Sequence, residues 1–199
     1  LAELKSADEL PARLAEAGVM VDRDQRAETI RSSIAAKAAS CGGEADCPES
    51  LFQELVDLVE APVVLKGEIA DQYLDLPPEV IVTVMQSHQR YVPLRQPNAT
   101  ADPLQLEARN VLRSDFLLVG NGLPDASDTI VSGNQRVLSA RLADAEFFLN
   151  VDRRQPSEQR RQELDRVTFA EGLGSLLDRT ERISWVMDQL VQALATSDS

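Results

Sequence analysis

The sequence predicts an α+β fold, with a small mixed or antiparallel sheet flanked by helices and an all-helical segment after it. Three observations carry this expectation. Apolar residues recur at helical spacing over most of the 199 residues, three short β-rich runs interrupt them, and the last run ends at Gly120. Helices and strands do not alternate regularly, so a parallel βαβ sheet is not expected.

The elements follow in order. Leu10, Leu14 and Ala17 form a short helical pattern ended by Gly18. Asp22 or Asp24 caps a helix reaching about Ser40, with Ala27, Ile30, Ile34 and Ala38 on one stripe and Gly42 as its stop. Asp46 precedes Pro48, which suits the first turn of a helix carrying Leu51, Leu55, Leu58 and Val59 and ending before Pro62. Residues 63–69 alternate partially and are rich in β-formers, which predicts a strand. Pro77-Pro78 opens a helix to about Gln89, with Val80, Val84 and His88 on one line and Ile81 and Met85 beside it. His88 has no chemical partner nearby in the sequence, so a packed structural histidine is the favoured reading.

Residues 90–94 read as a short strand, and the polar stretch 95–114, with two prolines, as an excursion or hairpin loop. Residues 116–120 return as an apolar strand that ends at Asn121-Gly122, a turn signal. Everything after Ser127 is helical in pattern: a helix over 133–152, a short one over 157–166, and a final long helix marked by Leu173, Leu177, Met187, Leu190, Val191 and Leu194. The strands stop before 150–157, which places a boundary there and divides the chain into 1–152 and 153–199.

An apolar fraction of 43% supports a real core. No segment approaches the roughly 18 apolar residues of a membrane helix, and no signal-peptide pattern opens the chain. A cytoplasmic protein, and a piece of a longer polypeptide running from Leu1 to Ser199, is the resulting expectation. Cys41 and Cys47 flank Gly42-Gly43. Their spacing permits a disulfide, but a reducing compartment favours two free loop thiols, and with His88 they fall short of a four-ligand zinc site. The net charge of −13 argues against a free-standing nucleic-acid binder. Residues 1–132 hold 11 basic and 22 acidic side chains, whereas 133–182 hold 9 of each. Arginine supplies 17 of the 20 cations, so any nucleic-acid face is expected in the second half.

Three segments carry more specific information. Glu60-Ala-Pro-Val-Val-Leu-Lys-Gly67 leads through Leu76-Pro-Pro-Glu79 to Met85-Gln-Ser-His-Gln-Arg-Tyr-Val-Pro93. Phe116-Leu-Leu-Val-Gly-Asn121 precedes Gly133-Asn-Gln-Arg-Val-Leu-Ser-Ala-Arg-Leu-Ala-Asp-Ala-Glu-Phe-Phe148. Last comes Phe169-Ala-Glu-Gly-Leu-Gly-Ser-Leu-Leu-Asp-Arg-Thr-Glu-Arg-Ile183. In order and spacing this set resembles the β subunit of the bacterial two-subunit glycyl-tRNA synthetase across most of residues 55–183, and more loosely before that. The sequence departs from the family pattern at Gln135 and Ser139, where charged side chains are usual, and at Ala170 and Gly172, where larger polar or basic ones are.

The resemblance implies a class II aminoacyl-tRNA synthetase that joins glycine to its tRNA using ATP and magnesium at an α-subunit site. It further implies an α2β2-like hetero-oligomer in the cytoplasm. Residues 1–152 would then resemble the B3/B4 domain of phenylalanyl-tRNA synthetase, and 153–199 the start of an HD-type helical domain. A non-catalytic role in tRNA positioning or subunit assembly follows. An editing-type hydrolytic domain and a purely architectural docking module are the alternatives. The residues agree with a non-catalytic part. No Walker or dinucleotide phosphate loop is present, a lone histidine cannot build an HD-phosphohydrolase site, and no catalytic or metal-ligating residue is expected.

Gln89, Arg90, Tyr91, Arg136, Arg153 and Arg154 are the candidate tRNA-contacting residues. The first three sit at a helix-to-strand exit, where Tyr91 either stacks on a base or anchors the helix to the sheet, the latter being favoured. In the helix over 133–152, Leu138, Leu142, Ala145 and Leu149 share a core stripe bordered by Arg141 and Phe148. Arg136 points about 140° from Arg141, so the two cannot clamp one phosphate. Arg141 lies one turn before Asp144, which makes an internal ion pair its simplest partner. Arg153-Arg154 with Arg160-Arg161 is the densest basic cluster, diluted by Glu158, Glu163 and Asp165.

Overall fold

The structure is a computed structural model that describes residues 6–97, 99, 107–122 and 126–197. It falls into two compact units, Leu1–Glu146 and Phe147–Ser199. The first unit holds α1 (Leu10–Glu16), α2 (Arg23–Ser40), β1 (Glu44–Ala45), α3 (Glu49–Leu58), β2 (Pro62–Glu68), α4 (Pro78–Thr83), β3 (Val92–Arg95) and β4 (Leu112–Asn121). Helix α5 (Ser127–Arg154) begins in it, and α6 (Ser157–Glu163) and α7 (Leu176–Ser197) belong to the second.

The four strands form one antiparallel sheet in the order β1-β3-β4-β2. Alternation sends one set of side chains to each face. On one face Val64, Val92 and Leu117 meet Ile30, Ile34 and Ala38 of α2 and Leu51, Phe52, Leu55 and Val56 of α3. Every residue of the predicted α2 stripe from Ile30 onward is therefore core. Asp22 makes the cap, its carboxylate accepting from the Gln25 amide at 2.9 Å. On the other face Phe116 is fully buried and its ring lies across Gly67, where a Cβ would overlap it. Helix α5 covers this face. Its Ile130 reaches Gly120, the Ser139 carbonyl accepts from the Tyr73 hydroxyl at 3.2 Å, and Leu138 and Leu142 are fully buried. Each such side chain contributes about 1.5–3 kcal/mol by leaving water.

The structure departs from the sequence expectation at several points, each with a physical reason. Strand β4 starts at Leu112 rather than 116, because the Asp115 carboxylate is paired by Arg113 on the same strand and by Lys66 on the neighbouring one. The Lys66 ammonium contacts Glu68 at 2.5 Å and Asp115 at 3.1 Å, which raises its pKa. Strand β1 is an addition of two residues, Glu44 pairing with Arg95 and Ala45 with Leu94. Part of the excursion expected over 95–114, namely 98 and 100–106, lies outside the described residues.

Helix α4 gives way at Val84–His88 to a π-type turn. The wider turn rotates His88 off the Val84 line, so His88 is exposed rather than packed. Helix α5 starts at Ser127 because Gly133 does not interrupt it; its missing side chain faces open space. The expected Arg141–Asp144 ion pair is absent among the described residues, and Arg141 is exposed.

Candidate functional site

The helix exit at Gln89–Tyr91 is built by backbone geometry. After the π-type turn the chain must reverse into β3, and Arg90 takes a left-handed φ of 59° to do so. The Tyr91 amide then donates to the Met85 carbonyl at 2.9 Å and closes the helix end. A non-glycine residue in this conformation costs about 1–2 kcal/mol, and side-chain contacts offset it. The Arg90 guanidinium ion-pairs with Glu54 of α3 and donates to the Ser87 carbonyl. Arg90 is thus committed to the fold, beside a shallow cleft of about 290 Å³ bordered by Glu54, Gln86 and Ser87. Gln89 is half-buried next to it.

Tyr91 is 5% exposed and stacks on Phe116 with ring centroids 5.0 Å apart. Its hydroxyl donates to Asn134 Oδ1 at 2.6 Å, and burial raises its pKa. A ring held this way has no open face for a base and anchors the exit of α4 to both sheet and α5. Asn134 faces Tyr91 from α5, whereas Arg136, two residues on, points about 160° away and is exposed. Of the residues singled out in the first unit, Gln89, Arg90 and Tyr91 sit together and Arg136 does not join them.

The second unit carries the remaining candidates. Arg153 and Arg154, at the C-terminal end of α5, are exposed, and neither side chain bonds to another described residue. Asp152 beside them is engaged by Arg160 at 3.8 Å, and Glu158 by Arg161 at 3.5 Å. The two arginines also lie where a helix dipole favours cations, which is their simplest structural role.

After α6, residues 168–175 form a closed loop. Thr168 bridges Ser175, and the Phe169 amide donates to the Gly174 carbonyl at 2.9 Å. Ser175 and Asp178 then cap α7 reciprocally. The Asp178 carboxylate accepts from the Ser175 amide at 2.6 Å, and the Ser175 hydroxyl accepts from the Asp178 amide at 3.1 Å. The amide donor, helped by the Ser175 hydroxyl, holds the Asp178 pKa below its ordinary value. Gly174 at φ +81° is required here, since a Cβ would overlap the Asp178 carboxylate.

Sequence reasoning missed the Lys66–Asp115–Arg113 cluster, whose only signal was a polar interruption in a β-rich run. Cys41 and Cys47 are free thiols, as expected, and burial raises the Cys47 pKa to about 11, with Asp46 adding to the shift. Among the described residues, no group of three or more His, Cys, Asp or Glu side chains could hold a metal ion, and no helix is long and apolar enough to cross a membrane.

Across residues 1–199 the sequence matches the family model described as glycyl-tRNA synthetase beta subunit. The chain belongs to this family. It is 37% identical over 196 residues to the glycine–tRNA ligase beta subunit of Picosynechococcus sp., covering 98% of this chain and 26% of that protein. The same-named proteins of Acaryochloris marina and Edwardsiella ictaluri are each 38% identical, over 94% of this chain and 25% and 26% of their own lengths. The chain thus spans about a quarter of the curated relatives it matches. The segments that resembled the family each build a local feature of the fold. Residues 85–93 make the Arg90–Tyr91 helix exit, 133–148 lie within α5, and 169–183 hold the closed loop and the α7 cap.

Proposed function

We propose that this chain is a non-catalytic part of a glycine–tRNA ligase, and that it positions the tRNA. The observation that supports this is a group of exposed arginines without a carboxylate partner among the described residues, which includes Arg136 and Arg141 in the first unit and Arg153, Arg154 and Arg166 in the second. An uncommitted guanidinium on a surface is suited to phosphate. Arg90 and Tyr91 leave this set, because Glu54 and Phe116 already occupy them. In the proposed enzyme, ATP and magnesium act at the α-subunit partner, within an α2β2-like cytoplasmic assembly.

Support of assembly is a second reading, favoured by the apolar residues of α7 that stand in solvent, among them Ile183 at 54% and Leu194 at 68% exposure. The two readings separate in the complete enzyme. With Arg153→Gln and Arg154→Gln together, tRNA positioning predicts a tRNA KM raised about 5–30-fold, from roughly 1–2 kcal/mol for lost charge-assisted contacts, with glycine activation by ATP unchanged. An unchanged tRNA KM would remove the positioning role.

A further inference from the structure

We propose that Phe147 and Phe148, with Arg154 beyond them, form a platform on which an unpaired base of an RNA stacks. This rests on the tRNA reading above and assigns it a chemistry. The two rings are 62% and 64% exposed, unusual for phenylalanine. Their centroids are 5.5 Å apart at 75°, an edge-to-face pair that leaves ring surface open. Val151, 42% exposed, and Arg154 follow Phe147 at i+4 and i+7, so all three share one face of α5. Arg154 stands about 10 Å along the helix from Phe147, within reach of the phosphate next to a stacked base.

Charge decides the occupant. An apolar protein helix laid on these rings would cover them but leave Arg154 without an anion. Asp152 is no substitute partner, since it contacts Arg160 at 3.8 Å. An unpaired nucleotide meets both needs, its base offering a π-face and its phosphate a charge. The α7 surface contrasts with this. There Ile183, Met187, Leu190 and Leu194 recur at spacings of four, three and four, an aliphatic seam of the kind that receives a helix.

The test uses the full chain and glycine-accepting tRNA, with binding measured at two salt concentrations. Changing both Phe147→Leu and Phe148→Leu keeps apolar bulk and removes the rings; we expect about ten-fold weaker binding with an unchanged salt slope. Arg154→Gln should weaken binding and lower the slope by about one. Ultraviolet crosslinking of the unaltered chain should place RNA on the peptide 147–154, a readout that does not depend on how any variant folds. Wild-type tRNA affinity in the folded double-leucine variant, or crosslinks only elsewhere, overturns the platform and leaves the tRNA reading standing. Failure of the unaltered chain to bind tRNA at any salt overturns both.

Discussion

The first unit has a core and the second does not. Between Ile30 and Leu142 the chain buries apolar side chains on both faces of its sheet, many of them completely. After Leu142, no described residue is a buried hydrophobic, and Ser175 is the one side chain out of solvent. Both regions have apolar residues at regular helical spacing. The difference lies in what they pack on: a four-stranded sheet offers two surfaces that helices can cover, whereas the helices of the second unit leave Phe147, Phe148, Trp185, Leu190 and Leu194 exposed. Periodicity therefore marks which residues seek burial, not where the burial is found. The first unit buries its apolar stripes, and the second leaves most of its own exposed.

The largest expected effect sharpens this contrast directly. Phe116→Ala empties the centre of the first unit and should cost about 3–5 kcal/mol, whereas Leu190→Ala, in solvent, should fall within about 0.5 kcal/mol. Urea unfolding of the full chain compares them, and a similar loss for both would break the distinction.

Next in size is the α7 cap, a local device in a unit without a core. Ser175→Ala should cost about 1 kcal/mol of helix stability, seen as lower helicity by circular dichroism. The cap is also pH-dependent. The Asp178 pKa is lowered in the folded state, so its contribution is present above the ordinary aspartate value of 3.8 and disappears as pH falls through the lowered one. The helicity difference between the wild type and Asp178→Asn should therefore be present at pH 7 and close in strong acid.

The most local effect concerns a single thiol in the packed unit. A Cys47 pKa of about 11, against an ordinary 9.0, leaves about 100-fold less thiolate near pH 8. Alkylation of Cys47 by iodoacetamide, followed by mass spectrometry, should be slower than that of a cysteine in an unfolded peptide by about that factor. Equal rates would show that the thiol is not buried.

Much of this architecture was readable in the residues. The α2 stripe, the β2 run and the Leu138–Leu142 stripe each announce a buried face, because local periodicity and burial coincide there. What could not be read depends on partners far along the chain. Arg113 and Asp115 look like loop residues until Lys66, 49 positions away, stands beside Asp115. Strand β1 exists only because Arg95 and Leu94 pair with it. His88 left its predicted line because a π-type turn, which no local pattern marks, changed the helical repeat. The candidate site divided the same way. Exposure and pairing, set by Glu54, Phe116 and Asn134, took Arg90 and Tyr91 into the fold and left Arg136, Arg153 and Arg154 at the surface.

Whether the stability of the chain resides in the core of the first unit is tested most directly by hydrogen exchange of the full chain. Amides of β4, those of β2 that bond to it, and those of α5 between its first turn and Leu142 should exchange only through global unfolding, orders of magnitude slower than those of α7. Protection of α7 equal to that of β4 in the chain alone would contradict the account.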